Sequence, residues 1–246
     1  MRRRPTSATP DYEETLLEGL GAPVEIRHHP KARRLTLRVS RTRRAVVVTV
    51  PPKCNPDIAE SFVARHIEWV RARLDSLPAQ VPFADGAIIP LRGEPHRIVF
   101  VGARRGARPV SVIEKVGGTG EIIVTGPVDG APRRLLDWLM AEAKRDLDTA
   151  VLFHARRVGV RAKRISVRDQ ASRWGSCSST GALSFSWRLI LAPAFVLDYV
   201  AAHEVAHLRE MNHGPRFWAL VRDTMPAMDA AKAWLAASGM DLHRFG

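Results

Sequence analysis

Residues 201–218 read AAHEVAHLREMNHGPRFW, with three histidines and one glutamate between His203 and His213. On a helix each residue turns about 100°, so positions four apart differ by only about 40°. His203 and His207 therefore point the same way, one turn apart, and both imidazoles can reach one ion. Glu204 is rotated by one step from His203, where its carboxylate can reach a water on that ion without ligating it. This geometry is why H-E-x-x-H on a helix suits metal-assisted hydrolysis. A catalytic zinc takes three protein ligands and keeps one position open. His213 lies six residues past His207 and would point elsewhere on a continuous helix. Asn212, Gly214 and Pro215 surround it. Asn and Gly tolerate the left-handed conformations that end helices, and Pro suits the first turn of the next one.

The same residues fit ordinary packing in part. Val196, Tyr199, Val200, His203 and His207 recur at i, i+3, i+4, i+7 and i+11, a stripe that faces inward. An inward stripe is compatible with a core and with a buried cleft. The conjunction of motif, helix, break and third histidine favours one bound divalent ion. Zinc is expected, although a three-histidine site also accepts manganese, nickel or cobalt.

Working outward, the segment ALSFSWRLIL (182–191) reads as a strand closed by Pro193, after a turn at 178–181 and a first strand beginning at Ile165 and Val167. PAFVLDYVAAHEVAHLREM (193–211) reads as the active helix, and RFWALVRDTM (216–225) as the next. Residues 132–157 form a long helix with leucines at helical spacing. Its Glu142 and Asp146 read as surface charges. Residues 85–126 read as strands separated by RGEP, GARRGARP and GGTG. GGTG lacks the spacing of a phosphate loop and reads as a hairpin turn. Further back, Leu35, Leu37 and Val39, then Val46, Val48 and Val50, alternate with basic residues around a turn at 41–44. That period of two predicts strands. His28 and His29 read as exposed strand positions. Asn55 and Pro56 open an amphipathic helix over 55–77 carrying Ile58, Phe62, Val63, Trp69, Val70 and Leu74. Residues 1–21 read as a flexible tail. No internal repeat shows at a fixed period.

The chain has 246 residues, 46% of them hydrophobic, enough for one large core or two small ones. Two cysteines make no disulfide framework. No stretch approaches the roughly 18 consecutive apolar residues of a membrane span, and the basic start has no apolar run behind it. The expectation is a soluble cytoplasmic protein with no membrane partner. The net charge of +13 attracts polyanions, so nucleic acid is a possible partner. Only six of the 38 basic residues are lysine, and the arginines are dispersed, which also fits a base-composition bias.

SRWGSCSSTGALSFSWRLILAP (172–193) followed by LDYVAAHEVAHLREMNHGPRFW (197–218) resembles the YgjP-like metallopeptidase family, relatives of SprT-like and other zincin domains. The resemblance implies an α+β chain: a β-rich region with covering helices at 22–130 and a zincin-like half at 131–246, with a β-hairpin and the H-E-x-x-H helix. It implies His203, His207 and His213 as zinc ligands and Glu204 as catalytic base. The metzincin glycine is replaced by Glu210, and Ser186 stands where this family is expected to carry Asn. The hairpin strand would line the cleft and pair with an extended peptide. Arg173, Trp174 and Arg188 could contact substrate by holding a phosphate or stacking a base. They could equally pack and cap the hairpin. Cys177 reads as a buried structural thiol.

Three functions follow. A zinc-dependent metallopeptidase acting on peptide or protein comes first. A metal-dependent nucleotide pyrophosphatase acting on a nucleoside triphosphate such as UTP is the alternative. A nucleic-acid-associated SprT-like module comes third, since no helix-turn-helix, zinc ribbon or RNP motif is present.

Overall fold

The computed structural model describes residues 12–16, 20–40, 42–170 and 172–246. The chain divides into two compact units, Met1–Pro78 and Ala79–Gly246.

The first unit holds β1 (Tyr12–Leu16), β2 (Pro23–His28), β3 (Thr36–Ser40), β4 (Ala45–Val50), α1 (Pro56–Arg65) and α2 (Ile67–Asp75). The valine-rich AVVVTV of β4 lies inside the sheet, parallel to β2 and antiparallel to β3. Strand order is β1-β2-β4-β3. Val24, Ile26, Val46, Val48 and Val50 pack with Ala59, Val63, Val70 and Leu74. Two expectations change here. Tyr12–Leu16 is a strand paired antiparallel with β2, because the edge of β2 offers backbone groups that a strand can satisfy. Residues 1–11 and 17–19 of the expected tail lie outside the described residues. The expected single helix breaks at His66, whose backbone leaves the helical region (φ −112°, ψ 18°) and whose Nδ1–H donates to the Phe62 carbonyl at 2.8 Å. The break resets the helical phase, and Ile58 and Trp69 end up exposed. Asn55 caps α1 as expected, accepting from the Asp57 N–H at 3.0 Å.

The second unit begins with β5 (Ile88–Leu91), β6 (Glu94–Val101), β7 (Val110–Ile113) and β8 (Gly120–Thr125). Their order, β5-β6-β8-β7, reproduces that of the first sheet: an inner parallel pair with antiparallel edges. The inner last strands run on as VVVTVPP (46–52) and IIVTGPV (122–128), and each leads to a helix with proline in its first turn. The chain thus carries a topological repeat that the sequence reading did not find. The likeness survives only at strand scale, with turns of different length between.

α3 (Ala131–Val158) is the spine of this unit and ends at left-handed Gly159 (φ 73°). Its Leu135, Leu139 and Ala143 pack with Ile98, Ile122 and Val124 of the sheet. Its Leu147, Ala150, Val151 and Ala155 pack with the helices and strands that follow. Strands 88–125 therefore share a core with the C-terminal half, where the sequence reading grouped them with the N-terminal region. Glu142 of α3 is buried and meets Arg92 at 2.9 Å, with Arg145 beside it, so it is no surface charge.

The remaining elements are β9 (Arg164–Arg168), β10 (Gly175–Cys177), β11 (Ala182–Ser186), a 3-10 turn over Trp187–Leu191, α4 (Ala194–Ala206), α5 (Pro215–Thr224), α6 (Met228–Ser238) and a closing 3-10 segment, Gly239–Arg244. The strand expected to run to Leu191 stops at Ser186. There the serine hydroxyl accepts from the Arg188 N–H at 3.4 Å and starts the 3-10 turn. The sheet order is β10-β11-β9, with β10 at an edge. The architecture is α+β, and among the described residues no helix is long and apolar enough to cross a membrane.

Candidate metal centre

α4 carries buried residues on nearly every side, so its direction is fixed by packing against α3 and β11. His203 and Glu204 lie in its last turn and His207 is its C-cap. The helix ends there, short of the expected Met211. The break that brings His213 back is real, but neither Asn212 nor Gly214 takes a left-handed backbone. Gly214 is extended (φ −82°, ψ −177°), and Pro215 starts α5.

The three imidazoles form a nearly equal triangle. Ring centroids are 5.0 Å apart for His203 and His207, 5.0 Å for His203 and His213, and 4.6 Å for His207 and His213. One ring nitrogen from each lies within 4.8 Å of the others. Phe217 is fully buried beneath them, its ring 4.8, 4.5 and 4.7 Å from the three imidazoles. Trp218 stands beside His203 and His213, with Lys232 over its outer face. Helical spacing could have marked Phe217 as core, but nothing in the sequence marked it as the floor of a histidine triangle.

These donors fit a divalent ion. The Nδ1–H of His207 donates to the Glu210 carbonyl at 3.1 Å, which leaves Nε2 with a free lone pair. The Nε2 atoms of His203 and His213 face each other at 3.1 Å. Two imidazole nitrogens that close need a shared proton or a cation between them. Burial, with the neighbouring histidines, pushes His203 down to about 4, and burial also lowers His207. Both are thus neutral near pH 7, as metal binding requires.

Glu204 is 5% exposed. Burial pushes its carboxyl up to about 7, and the charge of Arg173 pulls the other way. With Trp174, Gly175, Tyr199, Val200, His203 and Leu235 it lines a cavity of about 220 Å³. Tyr199, read from the sequence only as part of the inward stripe, is therefore a cleft residue; burial and the Glu204 charge raise its hydroxyl pKa. Of the three expected substrate contacts, Trp174 lines this cavity and exposed Arg173 lines the next one. Arg188 does neither of these things. It is buried, stacks over Trp187 at 4.6 Å, pairs with Asp169 at 3.1 Å and donates to the Leu242 and Phe245 carbonyls. Its donors are committed to holding the C-terminal segment, which corrects its reading as a substrate contact. Cys177 is half-buried beside the cleft, less enclosed than expected, and burial raises its pKa.

An α+β scaffold that gathers three imidazoles beside a buried carboxylate is the layout of a metal-dependent hydrolase. Consistent with that, the family model described as YgjP-like, metallopeptidase domain, matches residues 33–238. The chain belongs to the YgjP-like metallopeptidase family, and membership implies a bound metal. Among solved structures the chain is similar to the metallopeptidase zymogen of Pyrococcus abyssi abylysin. Identity is 18%, over 40% of this chain and 97% of that one, with a TM-score of 0.35. So slight a likeness says nothing of function. No curated protein matches the chain.

Proposed function

We propose that the chain is a zinc-dependent peptidase in which His203, His207 and His213 hold the ion and Glu204 is the general base. The observation that carries this reading is the convergence of three imidazole nitrogens within 4.8 Å, one of them from His203, which lines a cavity together with Glu204. Bound zinc would polarise the scissile carbonyl and acidify water. Glu204 takes the proton from the attacking water on a carboxylate oxygen and returns it to the leaving amine. Trp174 and Leu235 wall the cavity with apolar surface and limit competing water. The free edge of β10 suits an extended peptide added as a further strand.

The family match gives no support to the nucleotide and nucleic-acid readings, and the nucleotide one enters as an outcome of the test. Metal-loaded wild type and Glu204→Gln are assayed side by side on an unfolded protein substrate and on nucleoside triphosphates including UTP. Peptide cleavage by wild type, reduced on the order of 10³-fold in the variant at unchanged metal content, is expected. Pyrophosphate release from UTP without peptide cleavage would overturn the substrate class. Turnover surviving in Glu204→Gln would remove Glu204 as base.

A further inference from the structure

Beside the histidine site lies a second concavity that the proposed chemistry does not use. It is an open basin of about 570 Å³ on the outer face of the β10-β11-β9 sheet. Strand register explains its floor. Ser176 pairs with Ser184, and Ser184 with Ser166, so three serines form one row across the three strands on one face. The opposite face carries Leu183 and Phe185, which are buried in the core. Around the serine row stand Arg164, Arg168 and Arg173, all exposed. Among the described residues none of these arginines has an ion pair, whereas Asp169 on the rim is already taken by Arg188. The basin therefore offers three guanidinium forks and a hydroxyl floor, and its one lining carboxylate, Asp169, is paired with Arg188.

The basin and the cleft share one strand. Trp174 and Gly175 line the cavity at Glu204, while Arg173 and Ser176 line the basin. The charge of Arg173 reaches Glu204. A peptide paired along the free edge of β10 would send alternate side chains to opposite faces of the sheet. Those on the basin's face would stand at its β10 rim, beside Arg173 and Ser176, with Arg164 and Arg168 across the sheet on β9.

We propose that this basin is a specificity subsite for acidic side chains, Asp or Glu, of an extended peptide lying along β10. The proposal rests on the peptidase reading above. Guanidinium forks match carboxylates in two-pronged pairs, and the Ser176 and Ser184 hydroxyls can donate to the same oxygens, whereas that of Ser166 already donates to the Leu183 carbonyl. A nucleic-acid strand is the lesser fit. Its bases need aromatic faces to stack on, and among the described residues no aromatic side chain lines the basin.

The test uses the full-length Glu204→Gln chain, metal-loaded, so that binding is read without turnover. Two fluorescent peptides differ only in carrying Glu or Gln at alternate positions. The Glu peptide should bind about fivefold or more tighter, the gap should shrink with added salt, and Arg168→Gln/Arg173→Gln should abolish it. Wild type is assayed for cleavage of the same pair. Equal affinity for the two peptides overturns the subsite, as does a gap that survives the double substitution. A single-stranded oligonucleotide of equal charge binding tighter through the same arginines also overturns it. Arginine-dependent binding of the Glu peptide without cleavage of either peptide would uphold the subsite and sink the peptidase reading instead.

Discussion

Gly175 lies directly against Glu204: a Cβ placed on Gly175 would sit 2.6 Å from both Cγ and Oε1 of the glutamate. No real Cβ tolerates that approach, so the edge strand reaches the carboxylate only because this position has no side chain. Gly175→Ala should push Glu204 aside while leaving the imidazoles in place. Misplacing a catalytic group by about 1 Å costs on the order of 10²-fold in rate. The expected result is a loss in kcat of roughly 10- to 100-fold at unchanged metal content. Gly175 does not have a positive φ, so the variant should fold normally. Wild-type kcat in Gly175→Ala would show that the close approach does not position Glu204 for its proposed role as base.

Metal removal should report on the triangle through stability. An ion that binds only the folded state adds about 4 kcal/mol when present at roughly 1,000 times its Kd. Chelation should therefore lower the Tm of the wild type by several degrees. His213 is the exposed member of the set, so His213→Ala should leave the metal-free fold intact. It should weaken metal binding on the order of 10²-fold, as loss of one ligand in three implies. Metal per chain after dialysis, with calorimetry before and after chelator, separates these effects. Equal metal retention by wild type and variant would exclude His213 as a ligand.

The histidine geometry was legible in the sequence because it is local: a helical period, a break and three residues within eleven positions. The strands were legible for the same reason, through period-two alternation in TLRVS and AVVVTV. What stayed hidden depends on partners far along the chain. Glu142 is buried because Arg92, fifty residues earlier, reaches it from a turn with φ 51°. Arg188 serves the C-terminus because the Leu242 and Phe245 carbonyls return to it. The helix break at His66 and the strand formed by Tyr12–Leu16 were missed because propensity reads neither a single backbone kink nor an available sheet edge.

The structural role of Arg188 is open to direct measurement. Truncating it to Ala removes two hydrogen bonds to backbone carbonyls, the Asp169 pair and the stack on Trp187. Breaking a buried charged network costs about 2–4 kcal/mol. Asp169 has a side chain 58% exposed, and Asp169→Asn should cost less than about 1 kcal/mol. Urea midpoints of the two variants test the contrast. A raised KM with unchanged stability in Arg188→Ala would instead return the residue to the substrate.

His243 gives a pH-dependent prediction away from the metal site. Its ring lies 5.1 Å from that of Trp174 and is 9% exposed. Burial pushes it down to about 4, the Arg188 charge acts the same way, and Asp169 opposes them. The unfolded histidine titrates near 6.5. Between those values the unfolded chain holds a proton that the folded chain lacks, so stability rises with pH across the window. Its contribution is intact above about 6.5, falls as pH drops toward 4 and is flat below, a loss of at most about 3 kcal/mol. His243→Phe keeps an apolar ring against Trp174 and removes the titration. The stability difference between pH 7 and pH 4.5 should therefore be smaller in the variant than in wild type, by urea unfolding at both values. His203 and His207 titrate alike in both proteins, so they cancel in that comparison. Equal pH slopes in the two proteins would mean that His243 takes up its proton as readily folded as unfolded.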